Sequence, residues 1–419
     1  MSVLDDIQKS FIKKESIYGP DNYKPLPVVL SKAKGVWVWD VSEKKYLDMM
    51  SGYSAVSHGH AHPVLLKTFH DQSSRLSLTS RAFYTDTLGP YLETITQMTG
   101  FEMALPMNSG AEAVETAIKS SRRWAYRTKK VEENKAEIIV AEGNFHGRTT
   151  TIISFSTDEN SRKDFGPHTP GFVAVEYGSS KAIEDAITPN TAAVIIEPIQ
   201  GEGGIIVPPD NYLNEVRAIC TKHNVLMILD EIQSGLGRTG KLFAYQHSCG
   251  QCSCGENLCE VQPDGLILGK ALGGGFMPVS VFLSSEEVLG WMDTGSHGST
   301  FGGNPLASAL AKRSLELLYE ENLIENSRVM GDYFKEQLTV LDSELIVEIR
   351  GMGLWLGVEI DQKYISGNEL SKTLLEAGIL CKETHENTIR FAPPLVVTKE
   401  ELDWGIEKIA KVFSEVTKS

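Results

Sequence analysis

The sequence predicts an α/β fold: a large domain with a mainly parallel sheet covered by helices, beside a smaller α+β domain. The first observation is a series of short, almost continuously apolar segments rich in Val and Ile, as in strands buried on both faces. The second is that amphipathic segments such as NYLNEVRAICTKH (211–223) separate several of them, an alternation typical of parallel sheets. The apolar segments are EIIVAE (137–142), FVAVEY (172–177), AAVIIEP (192–198), VLMILDE (225–231), GLILGK (265–270) and PVSVFLS (278–284).

The pattern of segments divides the chain into three regions. Residues 1–52, with GVWVWD and KKYLDMM, are predicted to form an arm and a small hairpin that belong to the small domain. Residues 53–310 are predicted to form the large domain, interrupted by a cysteine-rich insert at 247–260. Helical patterns dominate afterwards, so residues 311–419 are predicted to form the small α+β domain.

Composition and charge exclude several classes of function. The 419 residues carry 55 acidic and 40 basic side chains, a net charge of −15, whereas nucleic acids and anionic membranes call for a basic surface. No apolar stretch approaches the ~20 residues needed to span a bilayer, and the N-terminus lacks the apolar segment of a signal peptide. Six cysteines fit a reducing compartment better than a disulfide framework. We therefore expect a cytoplasmic protein with neither a nucleic-acid nor a membrane partner.

The segment GLGRTG (235–240) spells G-x-G-x-x-G after an apolar run, which raises the possibility of a dinucleotide site. In a dinucleotide fingerprint the first glycine follows the strand directly and the loop opens a helix. Here DEIQS separates the strand from Gly235, and the residues after Gly240 do not form a sustained helical pattern. The glycines are therefore interpreted as turn residues, and a nicotinamide enzyme is disfavoured.

Polar residues end three of the predicted strands, at the edge where ligands bind in open α/β sheets. They are Glu197, Asp230 and Lys270. In addition, NSGAEAVETAIK predicts a helix whose start carries a capping box of Ser109 and Glu112 and small residues that would let a phosphate approach the free N–H groups. Each feature alone also fits a structural role, an ion pair or a plain capped helix. Together, a lysine, a carboxylate and a phosphate site are what pyridoxal 5′-phosphate requires.

The chain resembles class III aminotransferases of fold type I, and among them the ornithine aminotransferases. The resemblance runs from NYKPLPVVLSKAKGVWVWD to TIRFAPPLVVTKEEL and is carried by SGYSAVSHGHAHP, PMNSGAEAVETA, GNFHGRT, EPIQGEGG, LDEIQSGLGRTG, GKALGGG and HGSTFGGNP. The glycine segment is thus the end of the family's aspartate motif. The resemblance implies an enzyme that transfers the δ-amino group of L-ornithine to 2-oxoglutarate. Acetylornithine, lysine and 4-aminobutyrate remain alternative donors.

The resemblance also implies roles at the cofactor. Lys270 would condense with the cofactor's aldehyde and move the proton, and Asp230 would hold the proton of its ring nitrogen, with Glu197 as support. The remaining cofactor contacts are the phosphate ligands, the partner of the phenolic oxygen and the residues on the two ring faces: Ser109, Gly110, Ala111, Gln233, Phe145 and Ile232. Ser299 and Thr300 would complete the phosphate site of a neighbouring subunit, which implies a homodimer.

The implied substrate contacts depend on two arginines. Arg390 would grip the carboxylate of the keto acid, and Glu202 would mask it while ornithine is bound. Arg148 would bind the ornithine carboxylate and Tyr23 its α-amino group, with Tyr53 typical of ornithine enzymes. Both tyrosines also fit ordinary packing. A mutase or decarboxylase of the same fold remains an alternative, disfavoured because Arg390 and Glu202 suit a cycle with two substrates.

The insert departs from the family pattern. Cys249, Cys252, Cys254 and Cys259 follow the spacing C-x2-C-x-C-x4-C, with His247 nearby. Four thiolates could form a closed zinc site, although the spacing is not that of a standard finger. A redox-sensing cluster and a loop without ligand remain open, and a purely metal-binding protein would explain only this insert. Cys220 and Cys381 are predicted to be buried small hydrophobic residues.

Overall fold

Three sheets organise the chain in the computed structural model, which describes residues 6–249, 260–341 and 343–418. The strands are β1 Leu30–Lys34, β2 Trp37–Asp40, β3 Lys45–Asp48, β4 Met103–Met107, β5 Glu137–Ala141, β6 Phe172–Val175, β7 Thr191–Ile196, β8 Leu226–Asp230, β9 Gly265–Leu268, β10 Ser280–Ser284, β11 Ile346–Met352, β12 Trp355–Ile360, β13 Ile379–Leu380, β14 Lys382–Thr384 and β15 Thr388–Phe391. The α-helices are α1 Asp6–Tyr18, α2 Ser51–Ser54, α3 Pro63–Arg75, α4 Leu88–Thr99, α5 Gly110–Trp124, α6 Thr150–Ile153, α7 Glu159–Arg162, α8 Ser180–Ala186, α9 Tyr212–His223, α10 Glu286–Leu289, α11 Pro305–Glu320, α12 Leu323–Val340, α13 Gly367–Ala377 and α14 Lys399–Val416.

The seven-stranded central sheet has the order β4-β10-β9-β8-β7-β5-β6. Strand β10 runs antiparallel to β4 and β9, whereas the pairs β9–β8, β8–β7, β7–β5 and β5–β6 are all parallel. The mainly parallel sheet predicted from the apolar segments is therefore confirmed, and those segments become β5 to β10. The sequence patterns did not indicate β4, a short strand that includes Pro106.

The central sheet is buried on both faces. Every residue of β7 and of β8 is buried. Consecutive residues of one strand enter different hydrophobic clusters: Val194 packs with Met227 and Leu229 on one face, and Ile195 packs with Ile228 on the other. This alternation follows from the two-residue period of a strand, and it explains why the sequence shows continuous apolar runs here.

The two smaller sheets connect distant parts of the chain. The short strand β13 pairs in parallel with β3, aligning Ile379 with Leu47, so that residues near the C-terminus extend the N-terminal sheet β1-β2-β3. The other sheet is antiparallel, with the order β11-β12-β15-β14. The N-terminal region contains helix α1 and strands β1 to β3, of which β2 and β3 form an antiparallel pair. The domain boundaries at residues 52 and 310 remain a prediction.

None of the helices in the described part of the chain is long and apolar enough to cross a membrane.

Candidate active site

A cavity of about 200 Å³ lies at the carboxyl ends of β7, β8 and β9. The central sheet brings the three polar strand ends together there, because parallel strands end at the same edge. The residues predicted from the sequence that line this cavity are Gly110, Ala111, Phe145, Glu197, Glu202, Asp230, Ile232, Gln233 and Lys270.

Lys270 follows β9 and points its amine into this cavity. Its backbone has a left-handed φ of 45°, which is uncommon for a residue with a side chain and is found at constrained functional sites. The Nζ atom donates a hydrogen bond of 2.9 Å to Oε1 of Gln233. Burial lowers the pKa of Lys270 to about 8, with Glu202 opposing the shift and Arg390 adding to it. A lysine in this state can act as a nucleophile and as a proton carrier near neutral pH.

Asp230, the last residue of β8, is held by a histidine that the sequence reasoning missed. Nδ1 of His146 lies 2.7 Å from Oδ2 of Asp230, and the N–H of Ile232 donates to Oδ1 at 3.0 Å. Burial by itself would lower the pKa of His146, but the hydrogen bond and charge of Asp230 outweigh it and raise the pKa. The two side chains therefore form a buried hydrogen-bonded pair that fixes the position of the Asp230 carboxylate. The only signal for His146 in the sequence was its position directly after Phe145 in the motif GNFHGRT.

Glu197 supports the loops that surround the cavity. Its carboxylate accepts hydrogen bonds of 3.0 Å from the N–H of Phe145 and 3.0 Å from the N–H of Gly201. Burial raises the pKa of Glu197 to about 7, against the opposing effect of His146. Glu197 therefore holds two loops together, and its support of the cofactor site remains a prediction.

The start of α5 offers free backbone N–H groups to the cavity. Ser109 caps the helix in the predicted capping box, and its own N–H donates to the Glu112 carboxylate at 2.7 Å. Gly110 and Ala111 are the first helical residues, whose N–H groups have no acceptor within the helix. A Cβ atom on Gly110 would lie 2.9 Å from Cδ1 of Ile232, so the glycine lets these two segments approach. Of the three residues predicted for a phosphate, Gly110 and Ala111 line the cavity and Ser109 does not.

Arg390 projects from β15 and forms an ion pair with Glu202. Nη1 lies 2.6 Å from Oε1 of Glu202, and Nη2 lies 3.4 Å from Oε2. The arginine side chain is only 2% exposed, against 29% for the glutamate. Burial would raise the pKa of Glu202, but the charge and hydrogen bonds of Arg390, together with the charges of Lys270 and Arg148, outweigh burial and lower the pKa. The guanidinium also lies 4.7 Å from the ring centre of Tyr53, a favourable cation–π arrangement.

The other predicted substrate residues do not line the cavity at Lys270. The guanidinium of the exposed Arg148 lies 5.7 Å from the ring centre of Phe145. Tyr23 is 70% exposed and lines a second cavity, of about 710 Å³, together with Tyr53. Tyr53 thus connects the two regions, because it lines the second cavity and contacts Arg390.

Ser299 and Thr300 do not line this cavity. Oγ of Ser299 accepts a hydrogen bond of 2.8 Å from the side-chain amide of Asn108, and Thr300 is exposed. Asn108, just before α5 and the predicted phosphate site, therefore contacts the loop that carries both residues.

The cysteine-rich insert falls largely outside the described residues, which include Cys249 but not Cys252, Cys254 or Cys259. Among the residues that are described, no group of three or more His, Cys, Asp or Glu side chains is arranged to hold a metal ion. The zinc site remains a prediction. Cys220 and Cys381 are buried free thiols, as expected.

Comparison with known proteins identifies the family. The profile described as aminotransferase class-III matches residues 18–413. The ornithine aminotransferase of Brevibacillus brevis is 53% identical over 402 residues, which cover 96% of this chain and 97% of the relative. That of Bacillus subtilis is 51% identical, covering 97% and 98%.

Solved structures agree with this relationship. The ornithine aminotransferase of Toxoplasma gondii has a TM-score of 0.94 at 41% identity, covering 100% of this chain and 97% of that one. The acetylornithine aminotransferase of Elizabethkingia anophelis has a TM-score of 0.86 at 43% identity, covering 97% and 99%. The fold type and the family implied by the sequence motifs are thereby confirmed, and the chain belongs to the class-III aminotransferases.

Proposed function

We propose that this chain transfers the δ-amino group of L-ornithine to 2-oxoglutarate, forming L-glutamate 5-semialdehyde and L-glutamate with pyridoxal 5′-phosphate as cofactor. The observation that carries the proposal is the ion pair between the buried Arg390 and the partly exposed Glu202, which both contact Gln233 next to Lys270. Ornithine and glutamate must react in turn at one site, and ornithine has one carboxylate whereas glutamate has two. A site whose arginine can be masked or exposed suits that task.

The residues of the cavity fit pyridoxal phosphate. When bound, the cofactor supplies an electron sink that takes up an amino group and passes it on. Lys270 would hold its aldehyde and Asp230 its ring nitrogen. The N–H groups of Gly110 and Ala111 would hold its phosphate at the positive end of α5. One solved structure of the Toxoplasma gondii enzyme has partial occupancy of this cofactor at its active site.

The apolar residues and the glutamine complete this proposed arrangement. Phe145 and Ile232 line the cavity and would cover the cofactor ring, while Gln233 would face its phenolic oxygen. Glu197 would keep the loops of Phe145 and Gly201 in place through its two hydrogen bonds.

Lys270 would carry the proton within the cavity. Because burial lowers its pKa to about 8, a useful fraction of the amine is neutral near pH 7.5 and able to accept a proton. His146 would act as a positioning residue for Asp230, since its Nδ1 fixes one carboxylate oxygen at 2.7 Å.

Arg390 and Glu202 would separate the two half-reactions. While the pair is closed, Arg390 would not be free to bind a carboxylate, so a substrate would present its side-chain amine to the cofactor beside Lys270. A keto acid with a second carboxylate would displace Glu202 and form the bidentate pair that arginine favours. Arg148 would bind the ornithine carboxylate and Tyr23 its α-amino group, while Tyr53 would shape the donor pocket next to Arg390.

Ornithine is preferred to other donors because the relatives named above at 51% and 53% identity are ornithine aminotransferases. The similarity to an acetylornithine enzyme at 43% identity makes acetylornithine the donor to test against it. The deciding experiment is an absorbance spectrum of the purified protein before and after L-ornithine is added without keto acid. Loss of the cofactor band, with semialdehyde trapped by o-aminobenzaldehyde, is expected. The same change with N-acetylornithine but not with ornithine would refute the choice of donor.

We further propose that the enzyme is a cytoplasmic homodimer in which Ser299 and Thr300 complete the partner's phosphate site. Support comes from the exposure of Thr300 and from the hydrogen bond that ties Ser299 to Asn108. Light scattering should give twice the mass of the chain, and Thr300→Ala should weaken cofactor retention. A monomer with full cofactor occupancy would refute this part.

A further inference from the structure

Gln233 occupies the centre of the hydrogen bonds in the cavity. Its Oε1 atom accepts from Nζ of Lys270 at 2.9 Å and lies 3.4 Å from Nη1 of Arg390. Its Nε2 atom lies 3.5 Å from Oε1 of Glu202. The same side chain therefore contacts the lysine and both members of the ion pair.

The neighbouring charges permit one orientation of this amide. A primary amide has an acceptor oxygen and a donor nitrogen at opposite corners. Rotating it by half a turn would place the N–H donors against Lys270 and Arg390, and the oxygen against the Glu202 carboxylate. Both contacts would be repulsive, so the ion pair and the lysine together fix the orientation.

Packing also confines the glutamine. A Cβ atom built on Gly201 would lie 2.2 Å from Nε2 of Gln233 and 3.1 Å from Cζ2 of Trp355. The amide thus lies against the backbone of Gly201, the residue directly before Glu202 in the same loop. A movement of Glu202 away from Arg390 therefore changes the surroundings of the Gln233 amide directly.

We propose that Gln233 couples the Arg390–Glu202 ion pair to Lys270, so that the state of the pair sets the hydrogen bonding of the lysine nitrogen. With the pair closed, the amide nitrogen faces Glu202 and the oxygen is held towards Lys270. When a substrate carboxylate displaces Glu202, the amide nitrogen loses that anchor, and its oxygen is no longer held towards Lys270. The proposal rests on the proposed function and adds to Gln233 a positioning role beyond contact with the cofactor.

A double-mutant cycle on the holoenzyme tests this coupling. The readout is the midpoint of a pH titration of the bound cofactor's absorbance band, which reports the proton on the nitrogen that Lys270 provides. The variants are Glu202→Gln, Gln233→Met and the double variant, because methionine has a similar length but no amide. We expect the shift caused by Glu202→Gln to differ between the wild-type background and the Gln233→Met background by at least about 0.5 pH unit, roughly threefold in proton affinity.

Equal shifts in both backgrounds would overturn the proposal, since they would mean that Glu202 acts on Lys270 through space alone. Gln362→Met, in an exposed turn, is the matched control and should leave the Glu202→Gln shift unchanged. If Gln233→Met does not retain the cofactor, Gly201→Ala replaces it in the same cycle, because the added Cβ displaces the amide without altering its chemistry. Absence of the band in the wild-type protein would instead refute the proposed function.

Discussion

Replacing Glu202 by glutamine should shift the enzyme's preference from ornithine towards glutamate. The substitution keeps the shape of the side chain and removes the charge that masks Arg390. The closed pair has one short contact of 2.6 Å and one long contact of 3.4 Å, around an arginine that is 2% exposed. A hydrogen bond to a charged group contributes about 1.5–3 kcal/mol. Because Glu202 is partly exposed, we take the lower end of this free-energy range, which corresponds to a change of about tenfold in an equilibrium constant.

The assay is a single-turnover measurement of each half-reaction from the change in cofactor absorbance. In wild-type protein a carboxylate must compete with Glu202 for Arg390, and in the variant this competition is weaker. We therefore expect the ratio of the rate constants for L-glutamate and L-ornithine, each divided by its dissociation constant, to rise at least about tenfold. Ornithine should also begin to react through its α-amino group, because its carboxylate can now reach Arg390.

The matched control is Glu320→Gln on the surface of α11. Glu320 forms two contacts of 2.6 Å with Arg313, so the substitution removes a similar charge from an exposed pair. The control should leave the ratio unchanged. A folded Glu202→Gln protein with a normal cofactor band and an unchanged ratio would show that the ion pair does not select the substrate.

The buried polar groups of the site and its surroundings give four further predictions. Lys270→Ala should prevent capture of the cofactor by borohydride, and mass spectrometry showing the cofactor still attached would contradict the assignment. In cofactor-free protein the rate of condensation with added pyridoxal phosphate should rise as the pH increases through about 8, because the buried amine loses its proton there; a rise centred near pH 10.5 would rule out that shift. His146→Phe should slow both half-reactions by a similar factor, roughly tenfold or about 1.4 kcal/mol, since it removes the partner of Asp230; a selective effect on one substrate would argue against a positioning role. Glu231→Ala should lower stability by about 2–3 kcal/mol in a denaturant titration, because the carboxylate accepts hydrogen bonds from two buried backbone N–H groups, and an unchanged midpoint would refute that accounting.

Some features of the site could be predicted from the sequence because each is specified by a pattern only a few residues long. The capping box of Ser109 and Glu112 requires only a four-residue pattern, and the structure contains it. Asp230 and Lys270 were found because each ends an apolar run, and parallel strands place such ends at one edge. Residue roles beyond this came from the family resemblance, and the structure places about half of those residues around one cavity.

Sequence alone determined the mainly parallel sheet and its polar edge, because strand burial appears as continuous apolar runs and helix starts carry their own caps. Only the tertiary structure decided that His146 meets Asp230 across 84 residues and that Gln233 lies between Lys270, Arg390 and Glu202. Arg390 comes from a different sheet, 188 residues after its partner Glu202. Such contacts depend on how separate sheets and loops pack against one another, and no pattern within a single segment specifies that packing.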